Sequence, residues 1–275
     1  MLYVISTPIG NMQDMTLRGI ETLKSVDFVA AEDTRVGGKL LMLLGIKKPL
    51  VSYYEHNKSY KGEEIVKRLL QGETCGLITD AGTPAISDPG SALVAECHEK
   101  GIKVVPIPGC CAVATAISVS GLQNKRFIFE GFLSENKKER SDALEELKTQ
   151  KRDLVFYSPP HGVLKDLKDI FSHFGNREIA VCRELTKLNE CVTKTSLENA
   201  IEMVENGDIP QKGEFALVVS GATEESVSDF WKDMSVEEHL LYYINIGYKK
   251  MDAVKAVASD RKTPKGEIYN VSLKL

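Results

Sequence analysis

The sequence predicts an α/β protein built as two α/β lobes plus a small C-terminal helical extension. Three observations carry that assignment. Up to about residue 120, short β-rich runs alternate with amphipathic helical segments, the order expected of a mostly parallel sheet covered on both faces. A second series starts near Arg126, in which strands and helices are joined by fewer Gly/Pro-rich loops, as in a mixed α/β domain. After Gly221 no strong strand pattern remains and three helical blocks follow. The expected domains are 1–121, a parallel α/β domain; 122–222, a mixed α/β domain; and 223–275, a basic helical extension, with GLQNK at 121–125 as the hinge.

In the first domain the strands are expected at Leu2–Ser6, Val26–Ala31, Leu50–Tyr54, Cys75–Thr79 and Lys103–Ile107. Helices fit around Thr16–Lys24, Lys39–Leu44, Tyr60–Leu70, Ser91–Lys100 and Ala112–Ser120. Ile65, Val66 and Leu69 form one apolar stripe at helical spacing. The second domain reads RFIFEGFL as a strand, Lys137–Thr149 as a charged helix and LVFYS as a strand. Helix Gly162–Phe174, strand EIAVCREL, segment CVTKTSL, helix Leu197–Glu205 and strand EFALVVSG complete it. The tail blocks are Val236–Ile246, Met251–Ser259 and Pro264–Leu273, with Gly247 ending the first and Thr263-Pro264 supplying an N-cap and first-turn proline for the third.

The 275 residues, 43% hydrophobic and 27% charged, suit a soluble globular chain with substantial cores. No run approaches the roughly eighteen apolar residues of a membrane span. The start MLYVISTPIGN lacks a basic leader and reads as a first strand, so a cytoplasmic protein is expected. Six cysteines without C-x-x-C spacing and five scattered histidines predict mostly buried free thiols and no metal site. A net charge of -4 argues against a surface coated in basic groups and leaves room for local basic patches. Between Lys249 and Lys265 six Lys or Arg face two Asp. That grouping reads either as a solvated helical tail or as a small helix-turn-helix-like RNA contact.

Ligands of an open parallel sheet bind at the carboxyl ends of its strands. STPIGN, AEDTR, DAGTPAISDPG and PIPGCCA each follow a strand and so share one edge. There is no G-x-G-x-x-G or G-x-x-x-x-G-K-[ST] motif, and Pro8 has no N–H to offer, so a triphosphate or dinucleotide is disfavoured. Glycine and proline instead supply a fixed backbone that a flat ligand can approach. At Ala81-Gly82-Thr83-Pro84 contact would run through main-chain groups, with Ile86 as an apolar wall. Pro108-Gly109-Cys110-Cys111-Ala112 leads into a helix N-terminus with free N–H groups. Such a site suits a neutral or zwitterionic ligand bearing a nucleoside.

Glu32, Asp33 and Arg35 cluster at one strand end, either as a helix-capping salt bridge or as a substrate-positioning, proton-accepting group. Asp80 and Asp88 divide between turn-stabilising roles and catalysis. Arg183-Glu184-Leu185-Thr186-Lys187 ends a strand with charges of both signs, and His56 and His161 are weaker candidates.

Taken together, TPIGN, AEDTR, SYYEHN, DAGTPAISDPG, PIPG, FEGFL, VFYSPPH and RELTK occur in an order that resembles the tetrapyrrole (corrin/porphyrin) methylase superfamily. The resemblance covers about residues 1–222 and is greatest to the branch of small-subunit rRNA cytidine 2′-O-ribose methyltransferases, whose C-terminal extension the basic tail also resembles. It implies S-adenosylmethionine held in a cleft between the two lobes, usually in a homodimer. It also implies an acceptor in small-subunit ribosomal RNA or the assembled subunit. By motif position the cofactor would meet Pro8, Ala81, Gly82, Thr83, Ile86, Cys111 and Ala112, with Tyr157 and Leu185 from the second domain. Two departures stand out: Cys110-Cys111 replaces a usual Pro-Ser, and Tyr157–Gly162 lacks the Glu and Arg of the usual Y-E-S-P-H-R.

The expected reaction is methyl transfer to a ribose 2′-hydroxyl. It needs alignment and a base rather than a metal. Asp33 or Glu32 is the expected base, Arg35 and Lys187 the charge-offsetting groups, and His56 the reserve. RNA contacts are expected at Lys137, Lys138, Arg140, Lys249, Lys250, Arg261 and Lys262. A tetrapyrrole C-methyltransferase and a non-catalytic S-adenosylmethionine-binding ribosome-assembly factor are the alternatives.

Overall fold

Apolar runs of four residues recur between glycine- and proline-rich loops in the first 121 residues, and they pack as one sheet. In the computed structural model, which describes residues 1–55, 57–223, 231, 234–245, 248–261, 263–273 and 275 (without the side chains of 58 and 59), strands β1 (Leu2–Ile5), β2 (Phe28–Ala31), β3 (Leu50–Ser52), β4 (Cys75–Ile78) and β5 (Val104–Ile107) take the order β3-β2-β4-β1-β5. All four pairings are parallel, with Leu2 aligned to Cys75 on one side and Val104 on the other. Helices α1 (Leu17–Ser25), α2 (Thr34–Leu43), α3 (Lys58–Leu70), α4 (Ser91–Glu99) and α5 (Ala112–Val119) make the crossovers.

Strand side chains alternate between faces, so consecutive apolar residues feed two cores. Phe28, Ala30 and Leu77 pack with Ile65, Leu69 and Leu93 from α3 and α4. Val29, Ala31 and Ile78 pack with Leu23 and Leu41 from α1 and α2. Burying each large aliphatic side chain contributes about 1.5–3 kcal/mol, which fixes the register and with it the position of every loop at the carboxyl edge.

The second sheet contains β6 (Phe127–Phe132), β7 (Asp153–Ser158), β8 (Glu178–Arg183), β9 (Cys191–Ser196) and β10 (Phe215–Val219), in the order β6-β7-β10-β8-β9. It is mixed, as expected: β6 runs parallel to β7, whereas β10 runs antiparallel to β8, with Glu184 N–H donating to Glu214 O and Ser220 N–H to Glu178 O, both at 2.9 Å. Helices α6 (Lys137–Leu147), α7 (Val163–Phe174) and α8 (Leu197–Asn206) accompany it. The tail forms α9 (Val236–Asn245), α10 (Lys250–Asp260) and α11 (Lys265–Ser272), which bury Leu240, Tyr243, Val254, Val257 and Ile268 together. Two compact units make up the chain: Met1–Gly121 with Val181–Thr193 and Gly213–Leu217, and Leu122–Ala180 with Lys194–Lys212 and Val218–Leu275.

Several boundaries differ from expectation for identifiable reasons. Helix α2 starts at Thr34 rather than Lys39 because Asp33 accepts the Arg35 N–H and caps it. Thr263 does not cap α11: its hydroxyl donates to the Arg261 carbonyl at 3.1 Å, and Pro264 takes the cap position. Only Cys75, Cys97 and Cys182 are buried thiols; Cys110 and Cys111 are half-buried and Cys191 is exposed. His56, Ile246, Gly247 and Lys262 lie outside the described residues. Among the described residues no helix is long and apolar enough to cross a membrane.

Candidate active site

Because every strand of the first sheet is parallel, the loops after β1, β2, β4 and β5 emerge on one edge. Three of these strands, β4, β1 and β5, are neighbours, and their loops are tied to each other. Thr7 N–H donates to Gly82 O at 2.8 Å and Gly82 N–H returns to Thr7 O at 3.1 Å, an antiparallel bridge outside the sheet. The Thr83 hydroxyl lies 2.9 Å from the Ser6 hydroxyl and donates to the Cys110 carbonyl at 2.8 Å. Ser6 and Thr7, buried and central to this knot, are the residues that reading the sequence did not single out; they lie within STPIGN but their type gives no sign of a long-range partner.

Gly82 holds a φ of +84°, and a Cβ there would sit 3.3 Å from Ile9 Cγ2. Ala85, three residues before Asp88 in the same loop, holds a non-glycine φ of +66°. The only other non-glycine residues with positive φ among those described are Glu184 at +53° and Thr186 at +66°. All three fall in two of the motif loops. Ala81 and Ile86 are exposed on the knot, with Pro8 and Thr83 half-buried beside them. Cys111 precedes α5 without a side-chain capping bond, so the first-turn N–H groups of Ala112 onward remain for another acceptor. Small residues, fixed backbone and an uncapped helix start are the donor set that a nucleoside-bearing zwitterion requires.

The acidic cluster divides by role. Both Asp33 oxygens are engaged: Oδ1 accepts Arg35 N–H at 2.7 Å and Oδ2 accepts the guanidinium at 2.5 Å. Hydrogen bonds from the Arg35 side chain, then its backbone, hold the Asp33 carboxyl down at about 2. Such a carboxylate is a cap and a weak base. Glu32 differs: burial first, then the Asp88 and Asp80 charges, push it above its ordinary value. Asp80 accepts the Asp33 N–H at 3.2 Å and, like Asp88, is raised by burial. Glu32 therefore keeps the more basic carboxylate of the expected pair.

Lys187 is committed rather than open. Its Nζ bridges Glu184 and Glu214, both at 2.9 Å. Burial opposes its charge, but those two carboxylates outweigh burial and hold the ammonium above its ordinary value. Gly10 packs beneath this loop, since a Cβ there would lie 2.4 Å from Lys187 Cγ and 2.9 Å from Thr186 Oγ1. Thr186 Oγ1 is buried with no hydrogen-bond partner among the described residues. Leu185 is buried at the same turn.

In the second unit, Tyr157 contacts Phe129 and Phe132 edge-on, at ring-centroid distances of 4.8 and 5.5 Å. Arg140, expected at RNA, is buried and paired with Asp166 and Asp169 at 2.5 Å each. The Ser158 hydroxyl donates to the same Asp166. Arg261 is likewise used internally: it donates to the Met234, Ser235 and Trp231 carbonyls at 2.6, 3.0 and 3.3 Å and to His239 Nδ1 at 3.2 Å. Lys137, Lys138, Lys249 and Lys250 are exposed.

Comparison with known proteins shows the family. The family described as Tetrapyrrole (Corrin/Porphyrin) Methylases matches residues 1–201. "Ribosomal RNA small subunit methyltransferase I" of Halalkalibacterium halodurans is 46% identical over 98% of this chain and 93% of its own length. The protein of the same name from Bacillus subtilis is 43% identical over 98% of this chain and 92% of its own. Among solved structures, a diphthine synthase superposes with a TM-score of 0.61 at 15% identity, covering 82% of this chain and 92% of that one, a likeness of fold.

Proposed function

The chain belongs to the tetrapyrrole (corrin/porphyrin) methylase family, and from that premise we propose that it is an S-adenosylmethionine-dependent methyltransferase acting on a cytidine 2′-hydroxyl of small-subunit ribosomal RNA. The carrying observation is the hydrogen-bonded knot that joins Thr7, Gly82, Thr83 and Cys110 at the carboxyl edge of three adjacent strands. Relatives named for ribosomal RNA small-subunit methylation extend over nearly the whole chain, tail included, which favours that acceptor over a tetrapyrrole.

When bound, S-adenosylmethionine supplies a methyl carbon made electrophilic by its sulfonium. The chain's own part is to hold and align. Ala81, Gly82 and Thr83 present backbone to the nucleoside, Pro8 and Ile86 wall it, and Cys111 and Ala112 offer the first-turn N–H groups of α5. Leu185 completes the set. Glu32 takes the proton of the attacking hydroxyl, because its raised affinity for protons suits a base where Asp33's does not. Asp33 fixes α2 and keeps Arg35 in place for a phosphate. Lys249 and Lys250 contribute sequence-independent attraction that weakens with salt.

Tritium transfer from labelled S-adenosylmethionine to immature small subunits and to deproteinised rRNA tests this reading. Label in base-resistant dinucleotides supports ribose methylation. Label on the base ring, or on uroporphyrinogen in preference to RNA, overturns the acceptor.

A further inference from the structure

Strand β6 is an edge strand, and such strands seldom carry large exposed apolar groups without a use. Here Phe132 is 58% and Phe127 45% exposed. Phe132 stands three positions after Phe129, so an uninterrupted strand would send them to opposite faces. A bulge prevents this. The register with β7 jumps from Phe129–Val155 to Gly131–Phe156 and Phe132–Tyr157, with Gly131 at a φ of +77°. The extra residue returns Phe132 to the face of Phe129, where both rings meet Tyr157 edge-on.

The ends of this strand are basic. Lys125 and Arg126 precede it, Lys137 and Lys138 open α6 after it, and all four are exposed. Of the nearby carboxylates, Glu130 and Glu135 are exposed and Glu139 accepts from the Ser134 hydroxyl at 2.8 Å, so the four cations outnumber them. A ring-lined surface flanked by cations is what an unpaired nucleobase and its phosphates require, whereas an aliphatic partner needs neither rings nor charge.

We propose that Phe132, backed by Tyr157 and Phe129, is a stacking platform for an unpaired nucleobase of single-stranded RNA, with Lys125, Arg126, Lys137 and Lys138 taking the adjacent phosphates. The proposal rests on the RNA reading above and gives it a second contact surface besides the tail.

The test is fluorescence anisotropy of a labelled oligoribonucleotide with an unpaired cytidine loop, using the full chain and its Phe132→Ala, Phe132→Leu and Phe132→Trp variants. Phe132→Ala and Phe132→Leu are expected to bind about tenfold more weakly, and Phe132→Trp near wild type, since every base offers a π-face. Their salt slope stays as in the wild type, while Lys137→Ala with Lys138→Ala flattens it. S-adenosylmethionine affinity by calorimetry is unchanged throughout. Retained binding by Phe132→Leu overturns the platform, as does a lowered sedimentation coefficient in Phe132→Ala, which would assign the face to a second copy. Wild-type protein that binds the oligonucleotide through Phe132 but labels no RNA refutes the methyltransfer reading and leaves the platform standing. Absence of any wild-type binding overturns the platform, while methyl transfer to immature subunits in the tritium assay decides the other reading separately.

Discussion

At the scale of single residues, Glu32 and Asp33 are adjacent carboxylates with opposite surroundings. Asp33 spends both oxygens on Arg35; Glu32 faces burial and two more carboxylates. We therefore expect Glu32→Gln to lower kcat by about 10²–10⁴ while leaving S-adenosylmethionine affinity intact, and Asp33→Asn to act through the stability of α2 instead. Single-turnover rates set beside calorimetric affinities separate the two. The sign of the pH dependence follows from the raised carboxyl. Glu32 must lose its proton to act, so activity falls on the acid side with an inflection above its ordinary 4.5. Asp88→Asn removes a like charge and moves that inflection down; an inflection that stays put or moves up in the pH–kcat profile rules out Glu32 as the titrating base. Reading the sequence reached both carboxylates but not their difference, because the proximity of Asp80 and Asp88 to Glu32 is created by the parallel pairing of β2 with β4. Lys187 was legible as a cation at a strand end; that Glu214 neutralises it from 27 residues away was not.

At the scale of elements, alternating strands and helices were legible because each buries a face with its own period, and nine of the ten strands among the described residues lie where apolar runs stand between turn residues; β9 (CVTKTS), mostly polar and with no buried residue, was legible only as a segment. The four loops could be placed on one edge before any coordinates. What could not be read was the knot among them, made by the Thr7–Gly82 main-chain pair and by Ser6 and Thr83 hydroxyls whose partners lie on loops distant in sequence. Gly82 is its most exacting position. Gly82→Val forces a β-branched side chain into left-handed backbone, at a cost of about 1–2 kcal/mol, and against Ile9. It should weaken S-adenosylmethionine binding at least about tenfold, measured by calorimetry, while circular dichroism stays unchanged. In the tail, charge composition pointed Arg261 outward, yet it closes the turn before α9 onto the end of α10. Arg261→Ala should destabilise those helices by about 2 kcal/mol, read as lost amide hydrogen-exchange protection in α9–α11. Arg140 was misread for the same reason: its acidic partners come from another helix, and composition reports charge but not who neutralises it.

At the scale of the whole molecule, the proposed function puts two kinds of surface in one chain: a backbone-lined edge for a nucleoside cofactor, and exposed lysines and rings for RNA. The first depends on hydrogen bonds and close packing and should be insensitive to salt. The second depends on charge, so RNA affinity should fall steeply between low and physiological salt while S-adenosylmethionine affinity holds. The most direct test is a crystal structure of the protein with S-adenosylhomocysteine. We expect the adenosine to lie against Ala81–Thr83 and Cys111–Ala112 with the sulfur on the side of Glu32. A nucleoside bound away from the Thr7–Gly82–Cys110 knot contradicts the account.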